Sequence, residues 1–260
     1  MSNINGFDNE FEFVKYFNRK KVSELDSRGK SFLKELFENI DDDMILTCWR
    51  NHYKQKSDIF IKADGVMKGI SIKKGVRNSV HVDSISNFTD FLYQSGIPIK
   101  IINYYRRYHF ADGTVNGQGK IRQDVKGYKI KHQHEISQIN QYFNTKEMIK
   151  LAIERFILQG NNSDFYIDAL IYGEYNDFLW FSREDIYKVI LSQRDYQSSA
   201  VHFGPLVVQP KARCLDFNPK YEKDRFCVQI KWYSLVDDVK EWFNVPSSNN
   251  VDFDTKKRTN

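Results

Sequence analysis

Hydrophobic and polar positions change period several times along the chain. Near the N-terminus, Phe13, Val14 and Phe17 recur at helical spacing behind Asp8, a capping residue type, and predict a helix over residues 8–20. Phe32, Leu33, Leu36, Phe37 and Ile40 repeat that spacing and predict a second helix over 31–40. The period then shortens. MILTCW (44–49) reads as a strand, and SDIFIK and MKGISIKK read as two more, joined by Asp64-Gly65, a strong hairpin signal. A helix from Asp83 or Ser84 to Tyr93 follows, with Ile85, Phe88 and Leu92 inward, and IPIKIINYY (97–105) reads as a further strand. Beyond the loop ADGTVNGQGK come a helix over 145–158, strands over 165–172 and 177–181, and a helix over 183–192. Strands over 205–209 and 225–234 and a helix over 237–243 complete the pattern, which contains no internal repeat. The fold class expected is α/β, a mixed central sheet flanked by helices, with a C-terminal α+β elaboration.

The hairpin places charges inside apolar runs. With Asp64-Gly65 as a two-residue type I′ turn, residue 63 faces 66, and the ladder continues until 58 faces 71. Opposed residues share a face, with Cβ atoms about 5 Å apart, and side chains alternate with period two. Asp58, Ser71 and Lys73 therefore meet on one face, and Ile59, Ile61, Ile70 and Ile72 fill the other. An Asp beside a Lys is commonly a cross-strand ion pair contributing about 0–1 kcal/mol. The same residue types also serve metal-assisted phosphodiester hydrolysis, in which a carboxylate holds Mg²⁺ and the lysine positions water and offsets transition-state charge. That chemistry needs more than one acid, since Mg²⁺ takes hard oxygen ligands.

This layout resembles the PD-(D/E)xK nuclease superfamily, to which many restriction endonucleases belong. Asp58 matches the first acid of its pattern, with Ser57 where Pro is usual, and Ser71-Ile72-Lys73 matches the acid-x-Lys element with Ser71 in place of the acid. The order of predicted elements through residue 110 matches as well. The resemblance implies that the missing carboxylate comes from the following helix, where Asp83 is the candidate, and that Glu10 on the first helix is an auxiliary acid. On the residues alone, Asp83 reads equally as a helix N-cap and Glu10 as a complement to a helix dipole. By resemblance the chain is expected to be a Mg²⁺-dependent endonuclease, with Mn²⁺ as a substitute, cutting double-stranded DNA as a homodimer. Asp58, Asp83 and Glu10 would hold the metal, Lys73 would be the water-positioning base and Ser71 an accessory hydroxyl.

Charge adds a partner class. The chain of 260 residues carries a formal charge of +5, which permits a polyanionic partner. Lys120, Arg122, Lys126, Lys129 and Lys131 fall in one short stretch with a single acid, Asp124, after YYRRYHF (104–110), where Arg106 and Arg107 stand among aromatics. With Lys74 and Arg77, these are the candidate DNA contacts, since basic side chains neutralise phosphates and aromatics stack on bases. The expected organisation is a nuclease core over 1–110, a DNA-gripping region over 111–245 and a flexible tail over 246–260. Two rivals stand: a catalytically inactive DNA-binding relative, and an RNA-binding or interaction module using residues 104–131.

The remaining signals exclude other classes. No apolar run is long enough for a membrane helix, and MSNINGFDNEFEF lacks the pattern of a signal peptide. Cys48, Cys214 and Cys227 form no Cys-x-x-Cys pair, so a cytoplasmic location is expected. GQGK (117–120) lacks a P-loop frame, and no Gly-x-Ser-x-Gly occurs. Gln229 and Lys231, with Asp216 or Asp224, form a weaker second polar-x-Lys set, and His132 and His134 are spaced to share a strand face.

Overall fold

The structure, a computed structural model, describes residues 4–53, 55–75, 79–119, 122–160, 165–211, 213 and 219–244. In chain order its elements begin with α1 (Ile4–Phe17), α2 (Ser27–Leu36), β1 (Thr47–Arg50), β2 (Ile59–Ala63), β3 (Val66–Lys73) and β4 (Ser79–Ser84). Five helices follow: α3 (Ile85–Gln94), α4 (Ile99–Phe110), α5 (Val125–Lys131), α6 (Gln133–Phe143) and α7 (Lys146–Ile153). The last set is β5 (Ala169–Glu174), β6 (Asp177–Ser182), α8 (Arg183–Ser192), β7 (Val201–Phe203), β8 (Leu206–Pro210), β9 (Cys227–Trp232) and α9 (Leu235–Asn244). The fold is α/β and divides into two compact units. The first comprises Met1–Asn78, Leu158–Val189 and Ser234–Asn260, and the second Ser79–Ile157 and Ile190–Tyr233. The expected boundary at 110 falls on the last residue of α4, inside the second unit.

The first unit is built on a five-stranded mixed sheet of order β1-β2-β3-β5-β6, in which only the β3–β5 pair is parallel. Its β2–β3 hairpin closes at Asp64 (φ 43°) and Gly65 (φ 78°), both left-handed as a type I′ turn demands. The ladder runs from Ala63↔Val66 to Ile59↔Ile70, so the register expected from the turn is the one observed. Ile59, Ile61, Ile70 and Ile72 join Phe13, Phe17, Phe32 and Trp180 in a single buried cluster. Burying each such side chain contributes about 1.5–3 kcal/mol. A slip of one residue would turn the isoleucines outward, so this dry face fixes which residues face away from it.

The second unit carries an antiparallel sheet of order β4-β9-β8-β7, packed with aromatics. Phe143 stacks on Phe203 at 4.3 Å and Phe88 on Phe156 at 5.6 Å. Several expectations change here. Residues 97–105 are helical, in α4, not a strand. Ile97, Ile99 and Ile101 alternate like a strand, but Ile101, Ile102, Tyr105 and Tyr108 are the buried positions, which is helical spacing behind Pro98 at the N-cap. Residues 79–84 form a strand for which no element was expected, so Asp83 is on β4 and not at a helix start, and Ser84 caps α3 by accepting from Asn87 N–H at 3.0 Å. The basic stretch is also helical from residue 125, capped by Asp124 on Gly127 N–H at 2.8 Å. His132 and His134 consequently sit at a helix junction, not on a strand face. In the first unit, α1 begins at Ile4, leaving Asp8 inside it, and α2 begins at Ser27 behind Asp26, which caps Gly29 N–H at 2.8 Å. The expected tail, 246–260, lies outside the described residues. No helix among the described residues is long and apolar enough to cross a membrane.

The two-faced hairpin makes a direct prediction. Ile70→Ala, at a position with no exposure, lowers the unfolding free energy by about 2–5 kcal/mol. Val66→Ala on the same strand, where the side chain is half exposed, changes it by no more than about 0.5 kcal/mol. Urea unfolding followed by circular dichroism measures both, and equal losses would contradict the assigned faces.

Candidate active site

The hairpin's outward face holds a connected polar set. Asp58, just before β2, donates its backbone N–H to Ile70 O at 2.8 Å, one residue out of the regular register, and its side chain meets Ser71. Asp58 Oδ2 accepts from Ser71 Oγ (3.0 Å), Ile72 N–H (2.5 Å) and Lys73 Nζ (3.3 Å). Lys73 Nζ also donates to Ser71 Oγ at 2.9 Å and to Ile72 O at 3.0 Å. All three ammonium protons are thereby engaged, and the Ser71 hydroxyl bridges cation and anion. Side-chain exposures of 20% for Lys73 and 27% for Asp58 show that the pair is shielded on most sides but open to a ligand. Oδ1 of Asp58 accepts no hydrogen bond among the described residues.

Glu10 reaches the same site from α1. Arg50 Nε, at the end of β1, donates to Glu10 Oε2 at 3.1 Å, and its guanidinium lies 5.0 Å from the Phe7 ring. Burial, then the negative charge of Asp58, raise the Glu10 pKa above the usual carboxylate range, opposed by Arg50 and Lys73. Two carboxylates that repel each other in a half-dry site are a setting a divalent cation relieves. Asp58 and Glu10 are the two carboxylates that act on each other here, and hard oxygen ligands of this kind suit Mg²⁺ with several waters retained. No group of three or more His, Cys, Asp or Glu among the described residues is arranged to hold a metal, so protein carboxylates supply at most two ligands here.

Asp83 is placed differently. It lies on β4 in the second unit, with its side chain 1% exposed. Oδ1 accepts from Ser84 N–H (2.8 Å) and Asn87 Nδ2 (3.0 Å), and Oδ2 from Arg155 (3.3 Å). Burial favours its neutral form, but hydrogen bonds from His81, Asn87 and Ser84 more than offset this and hold its pKa low. These partners belong to the fold of the second unit, and a metal would have to displace them.

Two residues at the site escaped the sequence reading. Lys56 is half-buried, and burial brings its ammonium down to about 7, with Lys73 lowering it further and Asp58 opposing. Period two offered no sound signal for it, since residue 56 lies in the bend before β2, which begins at Ile59. Arg50 had no signal either, because its role depends on the approach of α1 to β1.

The expected DNA contacts divide. Arg77 and Lys120 lie outside the described residues. Lys74 pairs with Glu174 at 2.5 Å, and Arg107 lies 3.8 Å from Glu135. Arg106 donates to Thr89 Oγ1 at 3.0 Å. Arg122 is turned inward, onto the carbonyls of Phe110 (2.6 Å) and His109 (2.7 Å), and serves the fold. Lys126, Lys129 and Lys131 stand on α5, where Lys126 and Lys131 are exposed. Tyr105, Tyr108 and Phe110 are buried, and Tyr104, with Arg107 over its ring, is the partly exposed aromatic of 104–110. The weaker candidates resolve into ordinary structure. Gln229 Oε1 accepts from Gln209 at 3.0 Å, and Asp224 pairs with Lys211 at 2.9 Å, while Asp216 lies outside the described residues. His132 Nδ1 contacts Glu135 at 2.8 Å, and His134 contacts Gln138 at 3.1 Å. A scan of protein-family models found no match to this chain, and a search of curated proteins found none either.

The electrostatics of the Glu10–Asp58 pair can be tested alone. A raised acid favours folding below its ordinary pKa, a contribution lost as pH rises through the folded value. Asp58→Asn removes the like charge, so the Glu10 midpoint moves down and that loss is smaller and complete at lower pH. A carboxyl-carbon NMR titration of both proteins measures the shift, and an unmoved Glu10 midpoint would separate the two groups.

Proposed function

We propose that the protein is a Mg²⁺-dependent endodeoxyribonuclease of restriction-enzyme type, with a restriction-endonuclease-like core in its first unit. The observation that carries this reading is the hydrogen-bonded convergence of Asp58, Ser71 and Lys73 on the open face of a hairpin whose other face is core. The order of elements in that unit supports it: two helices, three antiparallel strands and a fourth strand beside the third. That fourth strand is β5, not residues 97–105.

When bound, Mg²⁺ or Mn²⁺ would supply charge on the scissile phosphate and lower the pKa of a water. Asp58 and Glu10 would hold the ion. Lys73 would stay on Asp58 and Ser71, trade its bond to the Ile72 carbonyl for the attacking water, and offset negative charge growing on the phosphoryl oxygens. Ser71 adds no charge; its hydroxyl holds Lys73 against Asp58. Asp83 is left out of this set because its carboxylate is already satisfied within the second unit. The substrate in this reading is cytoplasmic double-stranded DNA, and a homodimer would bring two such sites to its two strands.

One observation favours a second reading, a DNA-binding protein that does not cut. Ser71 stands where a further acid would complete the donor set, and two carboxylates remain. Digestion of supercoiled plasmid and phage DNA with Mg²⁺ or Mn²⁺ decides between them. The nuclease reading predicts cutting by the wild type and a loss of about 10²–10³-fold or more in Lys73→Ala, taking one transition-state charge contact as the guide. Asp58→Ala abolishes cutting and leaves DNA binding in EDTA intact. A wild type that binds DNA and leaves every substrate whole would establish the second reading instead.

A further inference from the structure

The second unit contains a cavity of about 680 Å³ between α5, α6 and the segment 194–202, which the proposed catalytic chemistry does not use. Its size is that of a site for a small organic ligand. Its lining joins apolar surface to polar side chains, with Ile130 and Ile136 the two aliphatic residues among sixteen, so it suits a ligand with both an apolar and a polar part. Gln133 and Gln141 line it and make no hydrogen bond among the described residues. Each amide therefore offers both donors and an acceptor.

Two features narrow the ligand class. The first is charge. Lys126 and Lys129 stand at the cavity on α5, and neither pairs with a carboxylate among the described residues. Lys129 Nζ has a hydroxyl for a neighbour, Ser199 Oγ at 3.3 Å, and burial together with the positive charge of Arg213 works against its own cation. The acid in the lining, Asp195, is almost fully exposed and lies 3.6 Å from Arg194. The cavity thus holds uncompensated positive charge. The second feature is an aromatic, hydrogen-bonding wall. His202 is buried, and its Nδ1–H donates to Gly204 O at 2.9 Å, which leaves Nε2 as an acceptor. Burial favours this neutral ring. Tyr196 meets it edge-on at 5.7 Å, so an aromatic pair forms part of the lining.

An anion joined to a flat heteroaromatic ring bearing both donors and acceptors matches this combination. We propose that the cavity holds one unstacked nucleotide of a DNA strand, its phosphate at Lys126 and Lys129 and its base against Tyr196 and His202. The partner class rests on the nuclease reading; the placement rests on the cavity. A stacked base is worth about 1–3 kcal/mol by alanine substitution, and one neutralised phosphate of a single strand adds about 0.7 units to the salt slope.

The test uses the full chain in EDTA, where no cutting occurs, with a fluorescent single-stranded oligonucleotide read by anisotropy. Tyr196→Ala weakens binding about tenfold, and Lys126→Ala with Lys129→Ala weakens it and lowers the salt slope by about 0.7 units, for the one phosphate the two lysines share. Gln141→Ala, an exposed position that leaves the fold undisturbed, also weakens binding. Deoxynucleoside monophosphates displace the oligonucleotide at lower concentration than inorganic phosphate does. Wild-type affinity in all these variants, displacement by phosphate as effective as by mononucleotides, or no binding by the wild type would each overturn the proposal. The two readings fail separately. Cavity-dependent binding without plasmid cutting removes the nuclease alone, and plasmid cutting with unchanged binding in the cavity variants removes this inference alone.

Discussion

A two-residue turn sets the terms for the site. Asp64 and Gly65 both take left-handed backbone angles, and that geometry closes the β2–β3 hairpin with no residue to spare. Every pairing down the ladder follows from it as far as Ile59 with Ile70, and just beyond, the Asp58 side chain meets Ser71. The turn is reinforced from below by the four isoleucines, which are buried together only in this register. Site geometry and core packing are two faces of the same strands, so the acid and the lysine cannot change face without unpacking the core.

The polar face is held as tightly as the apolar one. A single carboxylate oxygen, Asp58 Oδ2, takes a hydroxyl, a backbone N–H and an ammonium. Such a network orders Lys73 before any ligand arrives and leaves Oδ1 open. Glu10 and Lys56 are shifted by burial in opposite directions, one up and one down, with Asp58 and Lys73 acting on both. A half-dry cluster of two acids and two lysines is unusual for a strand pair with a merely structural role, where charges are solvated and contribute little.

The hairpin was legible because its signals are local: a turn dipeptide, period-two alternation, and residues within sixteen positions of one another. The dry and polar faces followed from these alone. What was not legible depends on contacts distant in sequence. Residues 97–105 alternate for a few positions like a strand, and only the burial of Tyr105 and Tyr108 in the second unit shows why they are helical. Asp83 has the residue type and the position of a ligand, yet Arg155, 72 residues away, claims its carboxylate. Arg122 belongs to a basic run on paper, and in the fold it binds backbone carbonyls. The chain's excursion through Ser79–Ile157 of the second unit between β3 and β5 left no mark in hydrophobic periodicity.

The central claim is that the open face of the β2–β3 hairpin is a divalent-metal site shared by Asp58 and Glu10. Soaking crystals with Mn²⁺ and recording anomalous diffraction tests it most directly, because the ion identifies itself and its ligands together. The account predicts a peak bonded to Asp58 Oδ1 and to the Glu10 carboxylate, with Lys73 still on Asp58 Oδ2. A saturating soak that leaves this face empty, or that places manganese only where neither carboxylate reaches, would contradict it.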